Sequence, residues 1–352
     1  MSPRLRIALG LLALVPVSLA AELLHWGPLA VCLTAGAAIV PLAIWLSTAT
    51  EEVALALGPS LGGLLSAVFS NATELIIALV ALRAGLVEIV KASITGTVMA
   101  NLLLVLGLAM TAGGIGRREQ TFQPVLARVN GSAMTLAVLA ILLPSLSALG
   151  GGGALLPIGF SRFVAGVLLL VYGLTLVFSL HTHRELYAVA VADQEPAVTP
   201  SLGPWLAVLL AATVGVAVES ELFVGVVEEV TAGFGLTPLF TGVVLLPLLG
   251  GASEYVTAVS MARKDKMDLA VAIALGSTLL VALLVVPVLV LLGPLLGHPL
   301  ALDFALVEVV AVIAAVAVSN LVSLDGRSDW LEGVLLLAAY LILAAGFYFQ
   351  AG

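Results

Sequence analysis

Long apolar stretches recur along almost the whole chain, separated by short charged or Pro/Gly-rich breaks. The hydrocarbon core of a bilayer is about 30 Å thick, and a helix crosses it with roughly 20 apolar residues. Hydrophobic residues make up 62% of the chain and charged residues 10%, so little polar surface remains for a sizeable soluble domain. The sequence therefore predicts an all-α polytopic membrane protein that lies in the lipid bilayer.

The breaks divide the chain into about eleven transmembrane helices. The predicted spans are 5–24, 28–47, 55–82, 87–112, 125–148, 160–181, 204–229, 237–262, 268–293, 300–322 and 329–349. The longest polar segment, residues 182–203, carries charges and two prolines and is typical of a linker.

The basic residues indicate the orientation, because Lys and Arg collect in cytoplasmic loops. When the loops are assigned alternately to two sides, ten basic residues fall on the side of the N-terminus: Arg4, Arg6, Arg117, Arg118, Arg128, Arg184, Arg263, Lys264, Lys266 and Arg327. Three fall opposite: Arg83, Lys91 and Arg162. This predicts a cytoplasmic N-terminus. We expect the protein in the cytoplasmic membrane of a bacterium or archaeon. Residues 1–21 also resemble a signal peptide, and the other ten helices keep their orientation under either interpretation.

The chain carries an internal repeat, whose two copies align without a gap from Ala72 to Thr97 at a spacing of 180 residues. The register pairs Ala72 with Ala252, Glu74 with Glu254, Arg83 with Arg263, Glu88 with Asp268, Gly96 with Gly276 and Thr97 with Ser277. The predicted parts are an N-terminal transmembrane helix (1–24), a five-helix repeat (25–181), a cytoplasmic linker (182–203) and a second five-helix repeat (204–352). Five is odd, so the second repeat is inverted in the membrane. Inverted repeats are typical of secondary transporters, whose sites lie near the midplane where helices break.

The predicted membrane interior is acidic. Five glutamates fall inside predicted spans, namely Glu74, Glu219, Glu221, Glu254 and Glu308, whereas all 13 basic residues fall in loops or near helix ends. An ionised group at a helix centre costs about 2.5 to 3.5 kcal/mol on insertion scales, so these carboxylates require a cation or protons. No partner for Glu308 is apparent, which favours a protonated carboxyl there. The scattered basic residues argue against a nucleic-acid partner.

Glu74 and Glu254 form the strongest candidate pair, one from each repeat. Ca²⁺ takes six to eight oxygen ligands, more than two carboxylates supply. Pro247 lies just before the second glutamate, and we expect a kink or unwinding there that frees backbone carbonyls. The predicted cation ligands are Glu74, Glu254, Asn71, Ser70, Thr73, Gly250, Gly251 and Ser253, with water. The alternative is a protonated glutamate that is hydrogen-bonded across a helix interface.

Other polar residues are weaker candidates. Glu221 and Glu228 lie seven residues apart on one helix face, which is consistent with an ion entry route, although Glu228 also suits a helix end in water. Thr97, Ser277 and Asn101 could offer oxygen atoms, but small residues at helix crossings more often serve close packing. The sequence predicts no cofactor.

Several of these motifs resemble a known family. Thr48-Ala49-Thr50-Glu51-Glu52, Gly62-Gly63 and the run from Ser70-Asn71-Ala72-Thr73-Glu74 to Ala78 resemble the first signature repeat of the calcium/proton exchangers, the CAX branch of the cation/calcium exchanger superfamily. Ser220-Glu221-Leu222-Phe223-Val224, Gly250-Gly251-Ala252-Ser253-Glu254 and Lys266-Met267-Asp268-Leu269 are similar to its second half. The resemblance implies eleven helices, an N-terminus inside, and Glu74 and Glu254 as the calcium- and proton-binding carboxylates.

The chain departs from the family pattern near both glutamates. That pattern usually reads Gly-Asn-Ala-x-Glu in each repeat, with a histidine after the second glutamate. Within that pattern, Ser70 replaces the first glycine, Gly251 the second asparagine and Tyr255 the histidine. Nearby, Ser66 and Val68 stand in place of an asparagine and a threonine, and Leu280 in place of a glutamine. Both carboxylates survive, while several neutral oxygen ligands are lost, so antiport is expected and the cation remains open.

The function predicted from the sequence is a secondary antiporter that exports Ca²⁺ in exchange for H⁺. The alternative is an antiporter of the same fold that moves Na⁺, K⁺ or another cation. A channel is disfavoured by the inverted repeat with paired acids, and no motif supports an intramembrane enzyme. The sequence leaves the stoichiometry and the oligomeric state undetermined.

Overall fold

A computed structural model of the chain describes residues 3–149, 158–183 and 200–350, nearly all of them helical. The helices are α1 (Leu5–Leu23), α2 (Pro28–Leu57), α3 (Pro59–Phe69), α4 (Ala72–Arg83), α5 (Val87–Gly114), α6 (Pro124–Leu149), α7 (Ile158–Thr182), α8 (Leu202–Gly233), α9 (Pro238–Gly250), α10 (Ala252–Arg263), α11 (Met267–Leu292), α12 (Leu306–Val322) and α13 (Trp330–Phe349). Two short strands, β1 (Gln120–Thr121) and β2 (Arg327–Ser328), pair antiparallel.

The described helices confirm an integral membrane protein. Eight of them are long and apolar enough to cross a bilayer: α1, α2, α5, α6, α7, α8, α11 and α13. Two further spans are formed if each bent pair is counted as one, with bends of 45° between α3 and α4 and 59° between α9 and α10. The apolar helix α12 has 17 residues. The count of eleven spans depends on whether α12 also crosses, and it stays a prediction.

The two repeats fold alike. Helices α4 and α10 begin at Ala72 and Ala252, which are equivalent positions of the repeat directly after the two bends. Helices α5 and α11 also begin at equivalent positions, Val87 and Met267, and each contains a π-helical segment at the same place, Ala100–Val105 and Val281–Val285. A π-helical turn is rare, and it is often found near functional sites. Its recurrence at one repeat position is structural support for the repeat found in the sequence.

Contacts between loops show that the repeats are inverted. At one end of the bundle, the backbone N–H of Gln123 donates to Asp268 at 2.6 Å. At the other end, Lys91 pairs with Asp303 at 2.5 Å. Gln123 lies in the loop after α5 and Asp303 in the loop after α11, which are the equivalent helices of the two repeats. Equivalent loops therefore lie at opposite ends, as an odd number of helices per repeat requires.

Several predicted helix bounds were wrong. The second helix runs to Leu57 instead of residue 47, so Glu51 and Glu52 lie inside it. It ends at Gly58, whose φ of +80° is a conformation that favours glycine. The tenth helix begins at Leu306, because residues 300–305 form a loop held by side-chain hydroxyls of α6 and α7. Of the predicted linker 182–203, residues 184–199 lie outside the described part of the chain.

The core positions the two bends at the centre of the bundle. Helices α5 and α11 are the most buried spans and lie at the middle of the bundle. Close crossings hold α9 against α5: an added Cβ on Gly96 would overlap the carbonyl oxygen of Val243, and one on Gly242 would overlap the Cβ of Ala92. Small residues thus permit backbone-to-backbone contact between the repeats, as is common in membranes.

Candidate functional site

The two helix breaks place the paired glutamates in equivalent positions. Glu74 is the third residue of α4, and Glu254 is the third residue of α10. Each therefore lies in the first turn of a helix that begins inside the protein. Backbone N–H groups at a helix start are unpaired and carry partial positive charge, which favours a carboxylate there.

The side chain of Glu74 reaches across to the break in the other repeat. A Cβ added to Gly250 would lie 3.1 Å from the Cγ of Glu74 and 3.6 Å from its carboxyl carbon. The missing side chain at Gly250 thus leaves room for this glutamate. Glu74 and Glu254 interact electrostatically, and both breaks contribute to one acidic site.

Amide and hydroxyl groups surround the two carboxylates. The hydroxyl oxygen of Ser277 accepts hydrogen bonds from the amide nitrogens of Asn71 at 2.6 Å and Asn101 at 2.8 Å. The hydroxyl of Ser253 donates to the neighbouring carboxylate of Glu254 at 3.2 Å. Helices α4, α5, α10 and α11 therefore all contribute polar groups around the site.

Two buried oxygen atoms of the site meet no hydrogen-bond donor among the described residues. They are the amide oxygen of Asn71 and one carboxylate oxygen of Glu74. An unsatisfied buried polar atom costs about 1–3 kcal/mol, more when it is charged. These oxygens are therefore available to a cation, and the carboxylate is also available to a proton.

The acidic site consists of two carboxylates and neutral oxygens. Within the described ranges, no three His, Cys, Asp or Glu side chains come together as a metal-binding group. A divalent cation between Glu74 and Glu254 would be balanced in charge by the two carboxylates. Its remaining ligands would have to be amide, hydroxyl, backbone or water oxygens, which suits a hard cation such as Ca²⁺.

A cavity of about 440 Å³ is lined by one of the two glutamates. Its wall includes Glu254, Asn71, Ser253 and Ser277, but not Glu74. The wall also includes exposed Glu51 near the end of α2. This end of the bundle holds the loop between α10 and α11, which the basic residues predict to be cytoplasmic. Glu254 is thus reached from that end, whereas Glu74 lies beyond the cavity wall.

The predicted cation ligands do not all face the acidic site. The structure brings together Glu74, Glu254, Asn71, Gly250 and Ser253. The Ser70 hydroxyl instead donates to the backbone carbonyl of Ser66 in its own helix, at the cavity wall. Thr73 is buried beside Glu74, without a described contact to the cavity. An added Cβ on Gly251 would lie 3.1 Å from the hydroxyl oxygen of Tyr255, so this glycine packs against a phenol.

The proposed entry residues lie away from the cavity. Glu221 pairs with Arg83 at 3.1 Å on an exposed surface, and Glu228 is exposed further along α8. Neither residue is part of the cavity wall. Glu51 lies in the cavity wall instead, where an ion entry residue would be expected. The sequence analysis cited Glu51 only as part of a motif. The available signal was the correspondence of Glu51-Glu52 with Glu228-Glu229 across the repeats.

The interpretation of Glu308 as a carboxyl without partners was wrong. Glu308 accepts hydrogen bonds from the backbone N–H of Ala305 at 2.9 Å and from the hydroxyl of Thr95 at 3.2 Å. Sequence could not reveal the second bond, because it joins residues 213 positions apart. Glu219, which also falls inside a span, accepts a hydrogen bond from Ser18 of α1 at 2.7 Å.

The fold and the acidic site define an integral membrane protein of the secondary-transporter class, with inverted repeats, broken helices and a central pair of acids. The profile of the family described as sodium/calcium exchanger protein matches residues 27–181 and 204–349. The chain belongs to this family.

Relatives and solved structures match nearly the full length of the chain. A protein of Aphanothece halophytica named Ca²⁺/H⁺ antiporter is 49% identical, over 98% of this chain and 96% of its own length. The Bacillus subtilis Ca²⁺/H⁺ antiporter ChaA is 40% identical, over 95% and 96%. The structure of native YfkE is 36% identical and matches with a TM-score of 0.84, over 98% of this chain and all of the other. The H⁺/Ca²⁺ exchanger CAX, 15% identical with a TM-score of 0.72 over 98% and 92%, shares the fold.

Proposed function

We propose that the chain is a secondary antiporter that exports Ca²⁺ from the cytoplasm in exchange for H⁺ by alternating access. The relatives named above support the pair of substrates. The observation that carries the proposal is the meeting of two repeat-equivalent carboxylates, Glu74 and Glu254, at the two helix breaks. The protein would lie in the cytoplasmic membrane with its N-terminus inside.

Charge balance couples the two ions in this mechanism. A divalent cation between the carboxylates requires both glutamates to be ionised. Protons that reach the pair neutralise the carboxylates, weaken the attraction for the cation and release it. The neutral, protonated pair then allows the empty carrier to reorient, because no uncompensated charge remains in the membrane interior. An inward proton gradient therefore drives the cation outward.

The inverted repeats account for access from both sides. In this structure, the cavity is lined by Glu254 and Asn71 and extends toward Glu51, at the end of the bundle that we assign to the cytoplasm. Glu74 holds the equivalent position in the repeat of opposite orientation. An outward-open state would exchange these roles and expose Glu74 to the other side.

The contacts in the site support some of the proposed ligands more directly than others. Glu74, Glu254 and the amide oxygen of Asn71 would bind the cation directly, because they lie at the breaks and two of their oxygens lack donors. The hydroxyl of Ser253 and water from the cavity would complete the shell. Ser70, Thr73, Gly250 and Gly251 remain proposed ligands through backbone or hydroxyl oxygens that a shift of the breaks would turn inward.

The test is cation uptake into proteoliposomes under an imposed pH gradient, with Ca²⁺, Na⁺ and K⁺ compared. We expect Ca²⁺ uptake that requires the gradient and that is lost in both Glu74→Gln and Glu254→Gln. Glu119→Gln is a matched control, because Glu119 forms an exposed ion pair with Arg327 far from the acidic site. Exchange of Na⁺ or K⁺ without Ca²⁺ movement would refute the calcium assignment. Transport that survives both site variants would refute the mechanism.

A further inference from the structure

Two tyrosine hydroxyls bind backbone carbonyls at equivalent positions of the two helix breaks. Tyr172 donates to the carbonyl oxygen of Ala67 at 2.6 Å, and Tyr255 donates to that of Pro247 at 2.8 Å. Ala67 and Pro247 are paired by the same register that pairs Glu74 with Glu254. Both carbonyls therefore have the same place relative to their break, seven residues before Glu74 and Glu254.

The two donors are not related by the repeat. Tyr172 lies on α7, which packs beside the first break, whereas Tyr255 lies on α10, the helix that continues after the second break. The residue equivalent to Tyr255 in the first repeat is Leu75. Duplication alone would have placed both donors at one repeat position. The equivalent carbonyl of each repeat is thus bound by a tyrosine from a different helix, which indicates that a hydrogen bond is needed at this position in both repeats.

The chemistry of a helix break explains the requirement. Carbonyls at the end of a helix are the oxygens that broken membrane helices offer to cations, and a hydroxyl that binds one of them fixes the direction in which it points. At the second break, the carbonyl of Pro247 accepts from the backbone N–H of Gly251 at 2.9 Å as well as from the phenol. These two bonds fix the bend between α9 and α10, and with it the direction in which α10 presents Glu254.

Gly251 and Tyr255 depend on each other. A Cβ at position 251 would lie 3.1 Å from the phenol oxygen and 3.1 Å from the carbonyl oxygen of Pro247. Either neighbour would have to move if residue 251 carried a side chain. The glycine in place of asparagine and the tyrosine in place of histidine, two departures from the family pattern, are therefore one structural change.

We propose that Tyr172 and Tyr255 are positioning residues of the cation site. Each hydroxyl donates to the equivalent carbonyl before its break, and so fixes the geometry from which the following glutamate binds the cation. Neither phenol has to touch the ion. This inference rests on the proposed function, since it concerns cation binding at the same acidic site.

The test uses conservative variants in the full-length protein. Tyr172→Phe and Tyr255→Phe each remove one hydroxyl and leave the ring. Tyr348→Phe is the control, because Tyr348 lies near the end of α13 with more than half of its surface exposed. The readout is the dependence of proton-driven uptake on Ca²⁺ concentration in proteoliposomes, with thermal unfolding in detergent measured in parallel.

We expect each site variant to raise the KM for Ca²⁺ about fivefold, the factor that corresponds to one net hydrogen bond. The maximal rate should stay within about twofold, and the double variant should combine both factors. Gly251→Ala should raise KM about as much as Tyr255→Phe does. The double variant Gly251→Ala/Tyr255→Phe should have a KM close to that of either single variant, because both changes remove the same hydrogen bond.

The outcomes are distinct. KM values equal to that of Tyr348→Phe, or a lower maximal rate with KM unchanged, would overturn the positioning role while the proposed antiport stands. Absence of proton-driven Ca²⁺ uptake by the wild-type protein would overturn the proposed function, and this inference with it.

Discussion

The hydroxyl of Ser277 is predicted to hold the amide of Asn71 in the orientation that leaves its oxygen free for the cation. Ser277→Ala removes the acceptor of two buried hydrogen bonds, from Asn71 at 2.6 Å and from Asn101 at 2.8 Å. Each such bond contributes about 0.5–1.5 kcal/mol net, and a buried donor left without a partner costs about 1–3 kcal/mol. We therefore expect a loss of about 2 kcal/mol in the free energy of unfolding.

Part of this loss falls on cation binding, because a freed amide can turn its nitrogen toward the cavity. If about 1.4 kcal/mol of it affects binding, the KM for Ca²⁺ rises about tenfold. The assay is proton-driven Ca²⁺ uptake into proteoliposomes. Thr278→Val is the matched control, because among the described residues the Thr278 hydroxyl donates to the carbonyl of Ala274 in its own helix. An unchanged KM in Ser277→Ala, at a stability lowered as predicted, would refute the idea that this network orients a ligand.

Three further predictions concern residues outside the acidic site. Glu51→Gln should raise the KM for Ca²⁺ a few-fold at low ionic strength and less at high ionic strength, because an exposed carboxylate at the cavity attracts cations through a field that salt screens; a salt-independent effect would contradict this. Gly96→Ala should lower the free energy of unfolding in detergent by about 1–3 kcal/mol, since its Cβ would overlap the carbonyl oxygen of Val243. An unchanged thermal unfolding transition would show that α5 and α9 can move apart without loss of stability. Glu221→Gln should change stability by less than about 1 kcal/mol and leave transport intact, because its pair with Arg83 is exposed; loss of uptake would instead support the entry role.

The sequence predicted the architecture well because few alternatives satisfy it. Long apolar runs leave the backbone only helices in the bilayer, and an odd number of helices per repeat forces inversion. The flanking glycines and Pro247 indicated the break before Glu254, whereas the break before Glu74 lies inside a span, 55–82, that was predicted to be one helix. These inferences depend on composition and spacing, which are local.

Contacts between distant residues could not be predicted. Ser277 was identified as a possible oxygen ligand or packing residue. Its position between Asn71 and Asn101 depends on how α4, α5 and α11 cross, which the sequence does not show. Tyr172 gave no signal at all, since its hydrogen bond joins residues 105 positions apart. Helix ends were wrong where a helix continues past the apolar run, as α2 does to include Glu51.

The central claim is that Glu74 and Glu254 form one site that binds either a cation or protons. The most direct measurement is proton release when Ca²⁺ is added to the purified protein in weakly buffered detergent solution, followed with a pH-sensitive dye. Wild type should release protons in proportion to the Ca²⁺ bound, and Glu74→Gln and Glu254→Gln should each abolish both Ca²⁺ binding and proton release. Calcium binding without proton release, or release that persists in either variant, would contradict a shared site.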